Sequence, residues 1–371
     1  MHCLNSHFSR LKSYFCYFRI KIQFFQALKP AHSKDIQNIY SQARTHGQAF
    51  VLFRLPDAQN IQCIIGSVSR TLQDGETAFA FAPFDPRHKP YYIKPQPFTT
   101  GKGKPHTASI GQQQKSTTKK QYTDLVKNIV TAICSADFKK IVAARLLAVK
   151  REETFDPFLF FQKLCNTYTS AFVSFTCIPG VGMWIGASPE ILVSGTNAKL
   201  TVFSLAGTKA QDDETDWTEK EQEEQQIVTD FIHQKLTKAV GEGIKLKGPV
   251  THNAGKIKHL LSVFTIAHKG EGVWPKVVKT LHPTPAVAGV PQLKSMKFVS
   301  ENESFERAFY AGYLGPVNQN GKTNLFVNLR CMQVTDTQLL FYAGCGITAD
   351  SNPQKEWLES ERKIDILKSL I

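Results

Sequence analysis

The sequence predicts an α+β protein in which large mixed or antiparallel β-sheets pack together with helices on the outside. Three observations carry that expectation. Apolar runs of strand length recur throughout, among them Ala49–Arg54, Ile141–Val149, Ala171–Ile178 and Leu200–Leu205. Helical patterns come in clusters and seldom alternate one for one with strands, which disfavours a parallel βαβ sheet. Glycine and proline breaks separate the runs, as at Gly344, Gly346 and the three prolines of residues 281–291, a stretch that cannot be helix interior.

The elements follow in order. Ile36–Ala43 has helical spacing, and Ala49–Arg54, Gln62–Gly66 and Phe79–Phe84 are apolar runs. Residues 94–121 are rich in Gly, Pro, Thr, Gln and Lys without periodicity and read as a long flexible basic loop. Leu125, Val126, Ile129, Val130 and Ile133 outline an amphipathic helix before the strand at 141–149, and Phe158–Cys165 is helical. Further strands are expected at Ala171–Ile178, Gly182–Ile185, Ile191–Val193, Leu200–Leu205, Tyr310–Leu314, Leu325–Val334 and Gln338–Ala343, with a mixed run over Ile257–Phe264. The organisation predicted is a basic leader at 1–34, an N-terminal part of the body at 35–93, the loop at 94–121 and a continuous domain at 122–371. The leader lacks the apolar core of a signal peptide and reads as a poorly ordered segment or a start assigned too far upstream.

Composition narrows the function. The chain is 42% hydrophobic and 20% charged, an ordinary globular balance. Its net charge of +14 is concentrated: residues 1–34 hold six Lys/Arg and residues 86–123 hold eight, with no acid in either. The body is therefore neutral, which argues against a nucleic-acid-binding face. Eight cysteines without a Cys-x-x-Cys pair or zinc spacing read as reduced thiols of a cytoplasmic protein. No apolar run is long enough to span a membrane.

Two clusters of charge sit on predicted helices. Ser351-Asn-Pro353 is a helix start, and beyond it Glu356, Glu359 and Lys363 share one face. Glu221 and Glu224 lie one turn apart on a second helix with Ile227, Phe231 and Ile232 on its apolar side. Each cluster reads as a solvated face or, if the two helices meet, as hard oxygen ligands suited to magnesium.

The order of motifs over residues 122–371 resembles the chorismate-utilising enzymes, the group of isochorismate, salicylate, anthranilate and aminodeoxychorismate synthases. The motifs are Lys139-Lys-Ile-Val-Ala-Ala-Arg145, Gly186-Ala-Ser-Pro-Glu190, Ser204-Leu-Ala-Gly-Thr208, Lys220-Glu-Gln-Glu-Glu-Gln225, His259-Leu260, Leu281-His-Pro-Thr-Pro-Ala-Val287, Tyr310-Ala-Gly312, Leu329-Arg-Cys331 and the tail from Ala343. The resemblance implies the chorismate-binding fold of anthranilate synthase component I, with Lys140 as general base and Glu190 as general acid. It implies Mg2+ held by Glu224 and Glu359 with Glu221 and Glu356 in support. Substrate would be bound by Gly207, Thr208, His259, Ala286, Tyr310, Arg330, Gly344 and Lys363.

Within the group, Ala206 stands where aminodeoxychorismate synthases carry a lysine, and His-Pro-Thr-Pro-Ala286 favours isochorismate synthase over the anthranilate and salicylate enzymes, which tend to carry Thr in place of Ala286. Gln225 departs from the group's usual His. The resemblance implies chorismate as substrate, a monomer without a glutamine amidotransferase subunit, and a product feeding menaquinone or siderophore biosynthesis.

Overall fold

The computed structural model describes residues 33–96, 113–135, 137–254, 257–268 and 272–371. Residues 1–32 of the leader and the centre of the basic loop, 97–112, lie outside the described residues, while residues 33 and 34 open a helix. Helix α1 (Ser33–Thr45) precedes strands β1 (Ala49–Arg54), β2 (Gln62–Ser69), β3 (Ala78–Ala82) and β4 (Tyr91–Pro95). Then come α2 (Lys119–Cys134), β5 (Lys140–Lys150), α3 (Pro157–Thr167), β6 (Phe172–Ile178), β7 (Gly182–Ser188), β8 (Ile191–Thr196) and β9 (Lys199–Ala210). The central helix α4 (Glu219–Val240) leads to the hairpin β10 (Ile244–Ala254) and β11 (Ile257–Ala267), then to α5 (Val273–Leu281), β12 (Gly289–Val290) and α6 (Gln292–Asn302). The chain closes with β13 (Tyr313–Val317), β14 (Lys322–Val327), β15 (Cys331–Val334), β16 (Gln338–Ile347) and α7 (Pro353–Lys368).

Among the described residues, all the strands join one sheet in the order β10-β11-β9-β8-β14-β13-β3-β4-β2-β1-β6-β7-β15-β16-β5-β12. Every neighbouring pair is antiparallel, as between β1 and β6 or β5 and β16. The expected mixed or antiparallel arrangement is thus resolved as antiparallel. The sheet curls so that its halves face each other. Phe172 of β6 stacks on Phe326 of β14 with ring centroids 4.1 Å apart, and Phe81 of β3 lies against Trp184 of β7 at 6.4 Å.

Alternation along β1 feeds two cores. Val51 and Phe53 enter the core between the two halves, while Phe50 and Leu52 turn to the outer core covered by α1, α3 and α7. Stacked and edge-on aromatic pairs such as Tyr40–Phe50 and Phe50–Phe175 fill that outer core, each contributing about 1 kcal/mol beyond area burial.

Three features depart from the sequence expectation. The mixed run at 257–264 is one arm of the long β10–β11 hairpin, and helices α5 and α6 flank the proline-rich stretch. The loop expected to reach residue 121 ends earlier. Thr117 N–H donates to the Leu146 carbonyl at 2.8 Å, and Thr118 caps α2. Its hydroxyl accepts from Gln121 N–H while Gln121 Oε1 accepts from Thr118 N–H, a reciprocal box legible in the Thr-x-x-Gln spacing.

Candidate active site

Lys140 opens β5, and its Nζ lies 3.4 Å from Oε1 of Glu224 on α4. The two side chains are 18% and 42% exposed, so the pair borders an accessible space rather than the core. Helix α4 is held to β9 and β11 by Gln225, whose Nε2 donates to the Ser204 carbonyl at 3.0 Å and lies 3.1 Å from Ser262 Oγ. Gln225 thus takes a buried anchoring position behind Glu224 and leaves the carboxylate free to face Lys140.

Glu190 follows β7 at the start of β8. Its backbone is fixed by Val327 N–H, which donates to the Glu190 carbonyl at 3.0 Å. Burial pushes the Glu190 carboxyl up to about 7, against the opposing pull of the Lys140 and Arg330 charges. Those two cations are therefore its electrostatic neighbours, and the carboxyl keeps its proton to a higher pH than an ordinary glutamate.

Arg330 precedes β15 with φ of +46°, a left-handed conformation that costs a non-glycine residue roughly 1 kcal/mol. Among the described residues its half-buried guanidinium has no hydrogen-bond or ion-pair partner, and Glu359 supplies a nearby negative charge. A planar cation left open in this way suits a carboxylate ligand. Tyr310 is buried beside Gly344, where an added Cβ would fall 2.8 Å from the tyrosine hydroxyl.

Helix α7 brings the remaining charges. Asn352 caps it, accepting from Gln354 and Lys355 N–H, with Pro353 in the first turn. Lys363 Nζ lies 2.5 Å from Glu359 Oε1 and donates to the Gly344 carbonyl at 2.9 Å. Burial would raise the Glu359 carboxyl, but Lys363 and Arg330 outweigh it and hold the group below its ordinary range. Glu356 goes the other way, raised by burial and by the charge of Glu359. Ligand atoms of Cys345, Glu356 and Glu359 lie within 4.8 Å of one another. Two adjoining carboxylates, Glu356 and Glu359, the second kept ionised, offer the hard oxygen donors a divalent cation takes, whereas Glu224 is not one of that group and faces Lys140 instead.

The other expected residues are placed less directly. Gly207 has φ of +64° and packs so closely on α4 that an added Cβ would sit 3.1 Å from Glu221 Cβ. Its carbonyl meets His259 Nδ1 at 3.1 Å, and Thr208 stands opposite His259 in the β9–β11 register. His259 is held below the ordinary imidazole range by burial and senses the charge of Glu224. Ala286 lies in the turn before β12, which pairs with Ile141 and Lys140 of β5. Glu221 is drawn elsewhere: its carboxylate caps α4, accepting from Thr218 N–H at 2.8 Å, which commits it to the helix start.

Sequence reasoning overlooked the supports. Arg145, 1% exposed, donates from Nε to Ser360 Oγ at 2.7 Å, pairs with Glu361, and lies over the Trp357 ring at 4.1 Å, fastening α7 to β5. Glu303 and Arg307, each 3% exposed, form a buried pair at 2.5 Å. Glu303 accepts from Ala144 N–H at 2.8 Å, while Arg307 donates to the Val142 and Val287 carbonyls, so the pair ties β5 to the proline-rich turn. The i, i+4 spacing of Glu303 and Arg307 was visible, but α6 ends at Asn302 and the pair belongs to a loop.

The site thus gathers carboxylates on two helices, a lysine on a strand and an open arginine at a strand start. Comparison with known proteins gives the family. Residues 95–371 match the family model described as chorismate binding enzyme. Among curated relatives, the salicylate biosynthesis isochorismate synthase of Pseudomonas aeruginosa is 26% identical over 71% of this chain and 57% of its own length. Isochorismate synthase EntC of Escherichia coli K12 is 22% identical over 77% of this chain and 78% of its own. The chain thus spans little more than half of the Pseudomonas relative. Among solved structures, the putative 2,3-dihydroxybenzoate-specific isochorismate synthase DhbC of Bacillus anthracis superposes with a TM-score of 0.72 at 22% identity, covering 91% of this chain and 99% of that one. The chain belongs to the chorismate-binding enzyme family. Among the described residues, no helix is long and apolar enough to cross a membrane.

Proposed function

We propose that the protein is a magnesium-dependent isochorismate synthase. It would interconvert chorismate and isochorismate by adding water at ring carbon 2 and removing the hydroxyl from carbon 4. The observation that carries this reading is the Glu190 carboxyl, pushed up to about 7 beside the Lys140 and Arg330 cations. An acid that is protonated near neutral pH can give its proton to a leaving hydroxyl. Lys140 takes a proton from the attacking water, the ring double bond shifts between the two carbons, and the departing hydroxyl leaves as water with the Glu190 proton. One base and one acid are sufficient, and the reverse reaction exchanges their roles.

Arg330 and Tyr310 orient the pyruvyl carboxylate, with the arginine supplying a fixed bidentate partner. Lys363 and the backbone at Gly207 and Thr208 hold the ring carboxylate. His259, set against the Gly207 carbonyl, lines this end of the site, and Ala286 leaves room beside the ring. Magnesium, which Glu224 and Glu359 would hold with Glu356 and Glu221 behind them, would neutralise the ring carboxylate and draw electron density from the ring when bound. The names of the relatives, isochorismate synthase EntC of Escherichia coli and isochorismate synthase MenF of Haemophilus influenzae, support the same chemistry, and a menaquinone role is our reading of the pathway. We take the enzyme to be a cytoplasmic monomer that needs no amidotransferase partner.

The test is to incubate purified protein with chorismate, with magnesium and then with chelator, and to separate the products by chromatography. Isochorismate in equilibrium with chorismate, lost on chelation, is the expected result. Salicylate with equimolar pyruvate would overturn the assignment in favour of a salicylate synthase.

A further inference from the structure

Gly346 lies on β16 opposite Val142 of β5, and Lys140 emerges two residues before Val142, on the same face of its strand. A Cβ built on Gly346 would fall 2.5 Å from Cε and 3.1 Å from Nζ of Lys140, with Cδ at 3.8 Å. The last atoms of the lysine therefore run directly over the glycine. The backbone of Gly346 is not in the left-handed region, so the strand itself does not call for glycine. Nor does any backbone atom crowd the position: the three nearest atoms all belong to the Lys140 side chain. Two residues earlier the situation differs, since a side chain on Gly344 would also meet the Ala143 carbonyl at 3.1 Å.

We propose that Gly346 is a positioning residue for Lys140, its missing side chain forming the floor of the groove that directs the amine into the site. The proposal rests on reading Lys140 as the base. With the groove open, Nζ reaches 3.4 Å from Glu224, and its charge acts on the Glu190 carboxyl. With a methyl group in it, the distal half of the lysine must swing away, because Cβ atoms do not approach other carbons to 2.5 Å. Strand pairing on either side of Gly346 is unaffected, so the disturbance is confined to the amine.

The experiment compares Gly346→Ala and Gly346→Val with Lys140→Ala in the full chain, measuring kcat and KM for chorismate, thermal melting, and the crystal structure of Gly346→Ala. Displacement of a reacting group by about 1 Å costs on the order of 10- to 100-fold in rate. Gly346→Ala is therefore expected to lose kcat by about that factor with KM and Tm nearly unchanged, Gly346→Val to lose more, and the Lys140 amine to be displaced in the structure. Normal kcat in Gly346→Ala while Lys140→Ala is inactive overturns the positioning role. So does a loss of kcat with the amine in its original place. Normal turnover in Lys140→Ala overturns the base assignment and, with it, any catalytic meaning of the groove.

Discussion

Lys140 and Glu224 meet at 3.4 Å although 84 residues separate them and they belong to opposite ends of the sheet order. Lys140 is on β5, next to the last strand, while Glu224 is on the helix packed against β9 and β11 near the other end. An ion pair this exposed contributes less than about 1 kcal/mol. Its importance is geometric, for it marks where the two ends of the curled sheet come together around the site.

If Lys140 and Glu190 are the base and acid, Lys140→Ala and Glu190→Gln should each lower kcat by about 10²- to 10⁴-fold. Neither side chain belongs to the apolar core, so Tm and magnesium binding should change little. Steady-state kinetics beside calorimetry checks this, and a near-normal rate in either variant rejects the role of that residue.

The pH dependence follows from Glu190. Its carboxyl, raised to about 7, must carry a proton to act as an acid, so kcat/KM for the forward reaction should fall as pH rises through about 7. The same raised value means that folding stability linked to this group is fully present below the ordinary glutamate range and is lost as pH rises through 7. A pH–rate profile of the wild type lacking a limb near 7 would contradict the assignment.

The carboxylates should separate by function. Glu224→Gln and Glu359→Gln are expected to weaken magnesium binding at least tenfold, measured by titration calorimetry. Glu221→Gln should affect it far less, because that carboxylate caps α4; the substitution should instead lower stability by about 1 kcal/mol or less. Equal effects of all three on magnesium affinity would show that Glu221 leaves its cap to reach the ion.

Arg145→Ala removes a fully buried cation from Ser360, Glu361 and Trp357 at once. A loss of about 3 kcal/mol is expected, read as a lower denaturation midpoint. Because α7 carries Glu359 and Lys363, the variant should also bind magnesium more weakly, although residue 145 touches neither group.

Much of this arrangement was legible in the sequence. The apolar strand at Ile141–Val149 appears as β5, the spacing of Leu125 to Ile133 as α2, and the Asn-Pro start after Gly346 as α7. The fold class was readable because strand-length apolar runs and antiparallel order leave local traces. What escaped were features without such traces. The hairpin arm β10 is nearly all exposed, so its residues Ile244–Ala254 carry no burial pattern. The Glu303–Arg307 pair takes its meaning from Ala144 and Val287, contacts distant in the chain. Glu221 was expected to support Glu224 at a metal, and only the local bonds of Thr218 reveal a capping carboxylate one turn from the one facing Lys140.

The family match begins at residue 95, yet β1 to β4 occupy the middle of the sheet, between β13 and β6. None of the residues assigned to the site comes from them. They stand between the strands that carry the two sides of the site, so in the sheet order Lys140 and Glu224 are joined through them. The N-terminal quarter of the chain thus lies between the two halves of the active site without contributing a residue to it.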